Sequence, residues 1–96
     1  MFWYRVHYFK YFIIVGICDE EILEKRIRFG DTEIYINPSF YKGSLIDEKA
    51  AIQVMKKCDV GNLFGNRIVE LAIKNNIVDE KNILIIDGIK HAQFIK

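Results

Sequence analysis

Apolar and polar residues alternate from residue 2 to residue 8. Phe2, Tyr4, Val6 and Tyr8 fall on one side, and Trp3, Arg5 and His7 on the other. This period of two marks a strand with one buried face. After Phe9-Lys10-Tyr11 the apolar run resumes. Residues 12–18 predict a second strand, central in its sheet and antiparallel to the first. Gly16 within it marks a bulge or the close approach of another backbone.

The pattern changes at Asp19. Asp19-Glu20-Glu21 predicts a short helical turn capped by Asp19, its acids favoured by the positive end of the helix dipole. Gly30-Asp31 is a turn, residues 32–37 are a third strand, and Pro38 and Gly43 bound a loop holding Phe40, Tyr41 and Lys42. Asp47 caps a helix whose apolar stripe is Ala51, Val54, Met55 and Cys58, with Lys56 and Lys57 suited to its last turn. Residues 59–65, with two glycines and an asparagine, predict a loop between helices.

The strongest helical pattern follows. Asn66 caps it, Ile68, Leu71 and Ala72 recur at helical spacing, and Val69, Ile73 and Ile77 widen the arc to that of a helix lying on a sheet. Glu70 and Lys74 sit four apart in the favourable order. Asn75-Asn76 supplies a residue tolerant of the left-handed conformation at the helix end. Residues 83–86 are apolar on both faces, as in a strand covered on two sides, and Asp87-Gly88 is a hairpin signal leading to a returning strand over 89–95.

The element order is therefore β-β-short α-β-α-α-β-β. It predicts an α+β fold, a mostly antiparallel sheet of about five strands with two helices packed on one face. A chain of 96 residues is expected to form a single domain over residues 1–96. The net charge of +1 gives no global field toward nucleic acid or membrane, while leaving room for a local basic patch. Cys18 and Cys58 stand far apart outside any C-x-x-C pair, so they read as two core thiols. The apolar run 11–18 is too short to span a bilayer and lacks a following small-residue cleavage site. A cytoplasmic location without membrane association is expected.

Several stretches together resemble one family. These are Val15-Gly16-Ile17-Cys18-Asp19-Glu20-Glu21-Ile22-Leu23, Asn62-Leu63-Phe64-Gly65-Asn66-Arg67-Ile68-Val69-Glu70-Leu71-Ala72-Ile73, Asn76-Ile77-Val78-Asp79-Glu80-Lys81-Asn82 and His91-Ala92-Gln93. In this order they resemble the archaeal domain-of-unknown-function family 424, across nearly the whole chain. Two positions depart from it. The family typically has a polar, glycine-rich turn where this chain has Phe9-Lys10-Tyr11, and Glu-Arg where it has Asn66-Arg67. The resemblance implies a small cytoplasmic archaeal protein and brings no activity with it.

Two groups of residues carry candidate chemistry. The first is a ligand site made of Asn62, Gly65, Asn66, Arg67, Glu70, His91 and Gln93. Free N–H groups at a helix start make an anion cradle, Arg67 adds a two-pronged clamp, and His91 beside Gln93 on one strand face supplies a donor, acceptor or general base. The structural alternative is a helix connection with ordinary capping and a half-exposed edge-strand histidine. The segment is not a Walker loop, since it lacks the Lys-Ser/Thr pair. The second group is Trp3, Arg5, His7 and Lys10, extended by Phe40, Tyr41 and Lys42. It interleaves aromatics with cations, as in a sheet that stacks bases while cations hold phosphates. The structural alternative is a strand packed beneath a helix or at a dimer seam.

Neither the acids at 19–24 nor the dispersed Cys and His residues have metal-ligand spacing, so no metal and no cofactor are expected. No catalytic triad can be assembled from the sequence. The expected function is a non-enzymatic module that binds a macromolecule, either RNA or a protein of the translation apparatus, with no DNA partner and with a homodimer as a further option. The alternative is a small-anion-binding protein or an enzyme built on the 61–67 loop with Glu70, His91 and Gln93.

Overall fold

The computed structural model describes residues 1–96. Its elements are β1 (Phe2–Tyr8), β2 (Ile13–Asp19), β3 (Arg26–Phe29), β4 (Thr32–Tyr35), α1 (Pro38–Tyr41), β5 (Ser44–Ile46), α2 (Glu48–Lys57), β6 (Val60–Phe64), α3 (Asn66–Lys74), β7 (Leu84–Ile86) and β8 (Ile89–Ile95). Six strands form one sheet in the order β5-β1-β2-β6-β8-β7, and β3 and β4 form a separate hairpin. All pairings in the main sheet are antiparallel except that of β2 with β6. The α+β class and the mostly antiparallel sheet are as expected. The expected third strand is β4 and pairs with β3 in the separate hairpin, while β5 and β6, which were not expected, bring the main sheet to six strands.

Side-chain alternation divides the core between the two faces. Phe2, Val15, Ile17, Leu63, Ala92 and Phe94 point to one face, where Ala51 and Met55 of α2 and Ile68, Val69 and Ala72 of α3 close over them. The two helices thus share one face, as their apolar arcs require. Cys18, Phe64 and Ile86 point to the other face. There Ile22, Ile27 of the hairpin, Ile36 and Tyr41 of α1 cover only the end of the sheet nearest α3's start. The rest of this second face has no element over it, apart from Phe40.

The stretch 59–65 is not a loop. Residues 60–64 form β6, one of the two innermost strands. Its glycine serves packing, not a turn: a Cβ on Gly61 would lie 2.0 Å from the Phe94 ring. Gly16 behaves as the sequence suggested, since a Cβ there would lie 2.5 Å from the Phe40 ring and 2.8 Å from the Phe40 carbonyl oxygen. Asp47 caps α2 through Ala50 N–H, 2.9 Å away. Asn76 (φ 58°) follows α3 in the left-handed region, and Asp87 (φ 53°) and Gly88 (φ 78°) make the turn between β7 and β8. β7 is an edge strand with Leu84 and Ile85 exposed, so its apolar run is not covered on two sides. No helix is long and apolar enough to cross a membrane.

Candidate functional site

Asp19 is the last residue of β2 and points to the helix face. It is 2 % exposed. Its Oδ2 accepts the Arg67 N–H and its Oδ1 the Ile68 N–H, each at 2.9 Å. Asp19 therefore caps α3 from another strand, and it makes no side-chain cap to its own turn at 20–22. Gly65 (φ 125°) leaves room for it, since a Cβ there would lie 2.3 Å from the Asp19 carboxyl carbon. Burial pushes the Asp19 pKa up, against the pull of the two N–H donors and of Arg67. Arg67 donates from Nε to Glu21 Oε2 (3.0 Å) and from Nη2 to the Met1 carbonyl oxygen (3.0 Å), and its Nη2 lies 2.5 Å from Glu21 Oε1. The hydrogen bonds from Arg67 hold the Glu21 carboxyl down at about 2.

The expected anion cradle is thus filled by the chain's own carboxylate, and its clamp is closed on Glu21. Asn66 is also engaged. It is the first residue of α3 and not its cap, and its Oδ1 accepts the Lys90 N–H at 2.8 Å, tying the helix start to β8. Glu70 pairs with Lys90 (2.9 Å) rather than with Lys74. A shallow groove of about 390 Å³ runs between α2 and α3, lined by Phe2, Glu48, Arg67, Glu70, Leu71 and Lys74, its polar groups alternating in charge.

The structure separates the ligand group. Gly65, Arg67 and Glu70 lie on the helix side. Asn62, His91 and Gln93 lie on the opposite sheet face, in phase with Phe64 and Cys18. One site cannot contain both sets. The same face receives Trp3, Arg5 and His7 from β1, so residues from the two sequence groups meet there. Register aligns them in rows across the strands. One row is Arg5, Gly16, Asn62 and Gln93, and the next is His7, Ile14, Val60 and Ile95.

Each member has a distinct environment. Arg5 is exposed and forms no ion pair, and the Asn62 and Gln93 amides make no hydrogen bond within the chain. Asn62 and Gln93 are directly opposed across adjacent strands, about 5 Å apart, whereas Arg5 stands two strands from Asn62 with Gly16 between them. The Phe40 ring stands over Gly16, stacked on His7 at 4.7 Å and 17°. His7 Nε2 lies 3.0 Å from the Phe40 carbonyl oxygen, which fixes that nitrogen as a donor. His91 meets the Phe64 ring edge-on at 4.8 Å, and burial lowers its pKa, favouring the neutral imidazole. Trp3 is half-buried with Lys42 Nζ 5.5 Å from its ring centre, and packs against the second core cluster. Lys10 lies apart, in the β1–β2 turn. No three His, Cys, Asp or Glu side chains converge as metal ligands would.

Fold and site together define a class: an α+β protein whose helices shield one sheet face and leave a polar, partly aromatic strip open on the other. The chain belongs to the family described as Protein of unknown function (DUF424), whose model matches residues 8–96. It is similar in fold to the crystal structure of an uncharacterized conserved protein from Methanopyrus kandleri, with a TM-score of 0.84 and 18% identity over 97% of this chain and 89% of that one. No curated protein matches it.

Proposed function

We propose that this protein is a non-enzymatic module that binds single-stranded RNA on the open sheet face. The reading is carried by the row Arg5, Gly16, Asn62 and Gln93, in which a free guanidinium stands on one side of the Phe40 ring that covers Gly16 and two amides without partners stand on the other. Amide side chains present a donor and an acceptor together, which matches the edge of an unpaired base. A guanidinium holds phosphate or stacks on a base. Obligate protein interfaces are more apolar than this strip. An anion site at the start of α3 is disfavoured by the Asp19 carboxylate already there.

The test is fluorescence anisotropy with labelled single-stranded RNA at several salt concentrations. Affinity is expected to fall steeply as salt rises, and Arg5→Ala to reduce the salt slope by about 1. Asn62→Ala with Gln93→Ala is expected to weaken binding and flatten base preference. A salt-independent curve, or wild-type affinity in all these variants, refutes the reading. Capture of a single protein from lysate, insensitive to ribonuclease, would replace RNA by a protein partner.

A further inference from the structure

The end of the sheet bearing the β1–β2 turn gathers exposed aromatic rings. Tyr8 is 77% exposed and Tyr11 84%. The turn is closed by its own aromatic pair: Phe9 and Phe12 stack at 5.0 Å and 16°, and the Phe9 N–H donates to the Phe12 carbonyl at 3.0 Å. That leaves the two tyrosine rings available, with Lys10 Nζ 5.3 Å from the Tyr11 ring centre. Four exposed aromatics in five residues are not explained by folding, because large exposed apolar clusters carry a solvation cost that interaction sites accept.

The turn is joined to a basic end. Ile13, paired with Tyr8, donates its N–H to Asp59 Oδ2 (3.0 Å), and the Asp59 carbonyl accepts the Lys96 N–H (2.9 Å). Lys96 Nζ in turn donates to the Lys56 carbonyl. Lys56, Lys57 and Lys96 therefore gather at the end that carries Lys10, and none of the four forms an ion pair. Asp19, Glu20, Glu21, Asp47 and Glu48 lie at the opposite end, by the strand pairing of Phe2 with Asp19 and Ile46. A chain of net charge +1 is thereby polarised.

From this arrangement we infer that the turn end is a second contact region for single-stranded nucleic acid, with Tyr8 and Tyr11 stacking bases and Lys10, Lys56, Lys57 and Lys96 holding phosphates. The inference rests on the RNA reading of the open face, whose last row, His7, Ile14, Val60 and Ile95, borders this end, while Tyr8 and the lysines of α2 stand on the helix side of the same edge. Charge complementarity selects a polyanion, and free rings select one whose bases are unstacked. Duplex RNA hides its bases, so it binds this end weakly.

The experiment measures anisotropy of a fluorescein-labelled single-stranded RNA of about twelve nucleotides, with the matching duplex and phosphatidylglycerol vesicles as parallel probes. Tyr8→Ala with Tyr11→Ala is expected to weaken single-strand binding about tenfold or more while keeping the salt slope. Tyr8→Phe with Tyr11→Phe retains the rings and the affinity. Lys56→Gln, Lys57→Gln and Lys96→Gln together lower the salt slope by about 2. Tyr35→Ala, which removes a ring covered by Arg26 (4.3 Å) on the separate hairpin, leaves binding unchanged. Circular dichroism checks that each variant folds. If wild type binds the single strand and the tyrosine-to-alanine variant binds equally well, the turn assignment fails and the open-face reading stands. Failure of wild type to bind RNA overturns both, and binding to the vesicles alone assigns this end to an anionic lipid surface instead.

Discussion

Asp19 is the side chain whose removal tests the fold most directly. It is buried, it receives two N–H groups at 2.9 Å, and its Oδ2 lies 4.0 Å from Arg67 Nε. Loss of an ordinary cap costs about 1 kcal/mol and up to about 2. Here the Ile68 N–H is buried as well, and an orphaned buried donor adds about 1–3 kcal/mol. Relief of carboxylate desolvation offsets part of this, as the upward push on the Asp19 pKa shows. Asp19→Ala is therefore expected to cost about 3 kcal/mol, or about 12–24 °C in Tm for a chain of this size. Asp19→Asn keeps one acceptor and is expected to cost about half as much. Urea titration followed by circular dichroism gives the values directly, with m unchanged if only stability is altered. A cost below about 1 kcal/mol for Asp19→Ala would falsify the view that this carboxylate, rather than α3's own residues, holds the helix start.

Further outcomes follow from individual contacts. Gly16→Ala places a methyl 2.5 Å from the Phe40 ring and 2.8 Å from its carbonyl, so it is expected to destabilise by about 1–3 kcal/mol and to loosen the His7–Phe40 stack, seen as a changed His7 ring shift in NMR; full stability in the variant contradicts this packing. Cys18 is buried and its thiol is pushed up to about 12 by desolvation and by neighbouring carboxylates, while burial also raises the Cys58 thiol. Neither thiol is expected to react with a disulfide reagent at pH 8 until denaturant is added, and one fast-reacting thiol in the native protein counts against it. Glu21 is held at about 2 by Arg67, below its ordinary 4.5. A depressed carboxyl stabilises the native state above its unfolded pKa, and that contribution disappears as pH falls from 4.5 toward 2. Glu21→Gln is expected to lose this part of the acid-side dependence of Tm, and Asp19 is common to both proteins so its opposite tendency cancels; equal acid slopes refute the assignment. The effect is small, since Glu21 is more than half exposed.

Much of the fold was legible wherever one physical requirement dominated. Strand β1 was readable from its period of two, and α3 from an apolar arc wide enough to lie on a sheet. Turn chemistry placed the residues with positive φ at 76, 87 and 88. The misreadings had one source: residue types that serve two purposes. Gly61 was read as a loop signal, yet its lack of a side chain admits the Phe94 ring into the centre of a strand. Asp19 was read as a local cap, yet it caps a helix 48 residues further along. Strand β4 and the turn before it were legible, but β3 and the pairing of the two apart from the main sheet escaped, because Arg26 and Arg28 break the apolar pattern and leave Ile27 and Ile34 as the hairpin's main anchors.

The candidate site shows the same division between what spacing carries and what it does not. Period two put Arg5 with His7 and His91 with Gln93, because alternation within a strand is local. Which strands lie side by side is not local. Placing β6 between β2 and β8 makes Asn62 the link between Arg5 on one side and Gln93 on the other, and it drives Arg67 and Glu70 behind the sheet. The exposed rings at 8–12 were visible in the sequence as an apolar stretch, but an apolar stretch predicts burial. Only its position outside both core clusters turns Tyr8 from a core candidate into a surface group, beside Tyr11 of the connection. A binding surface of this kind is made by the absence of a covering element, and a chain read one residue at a time carries no sign of what will fail to cover it.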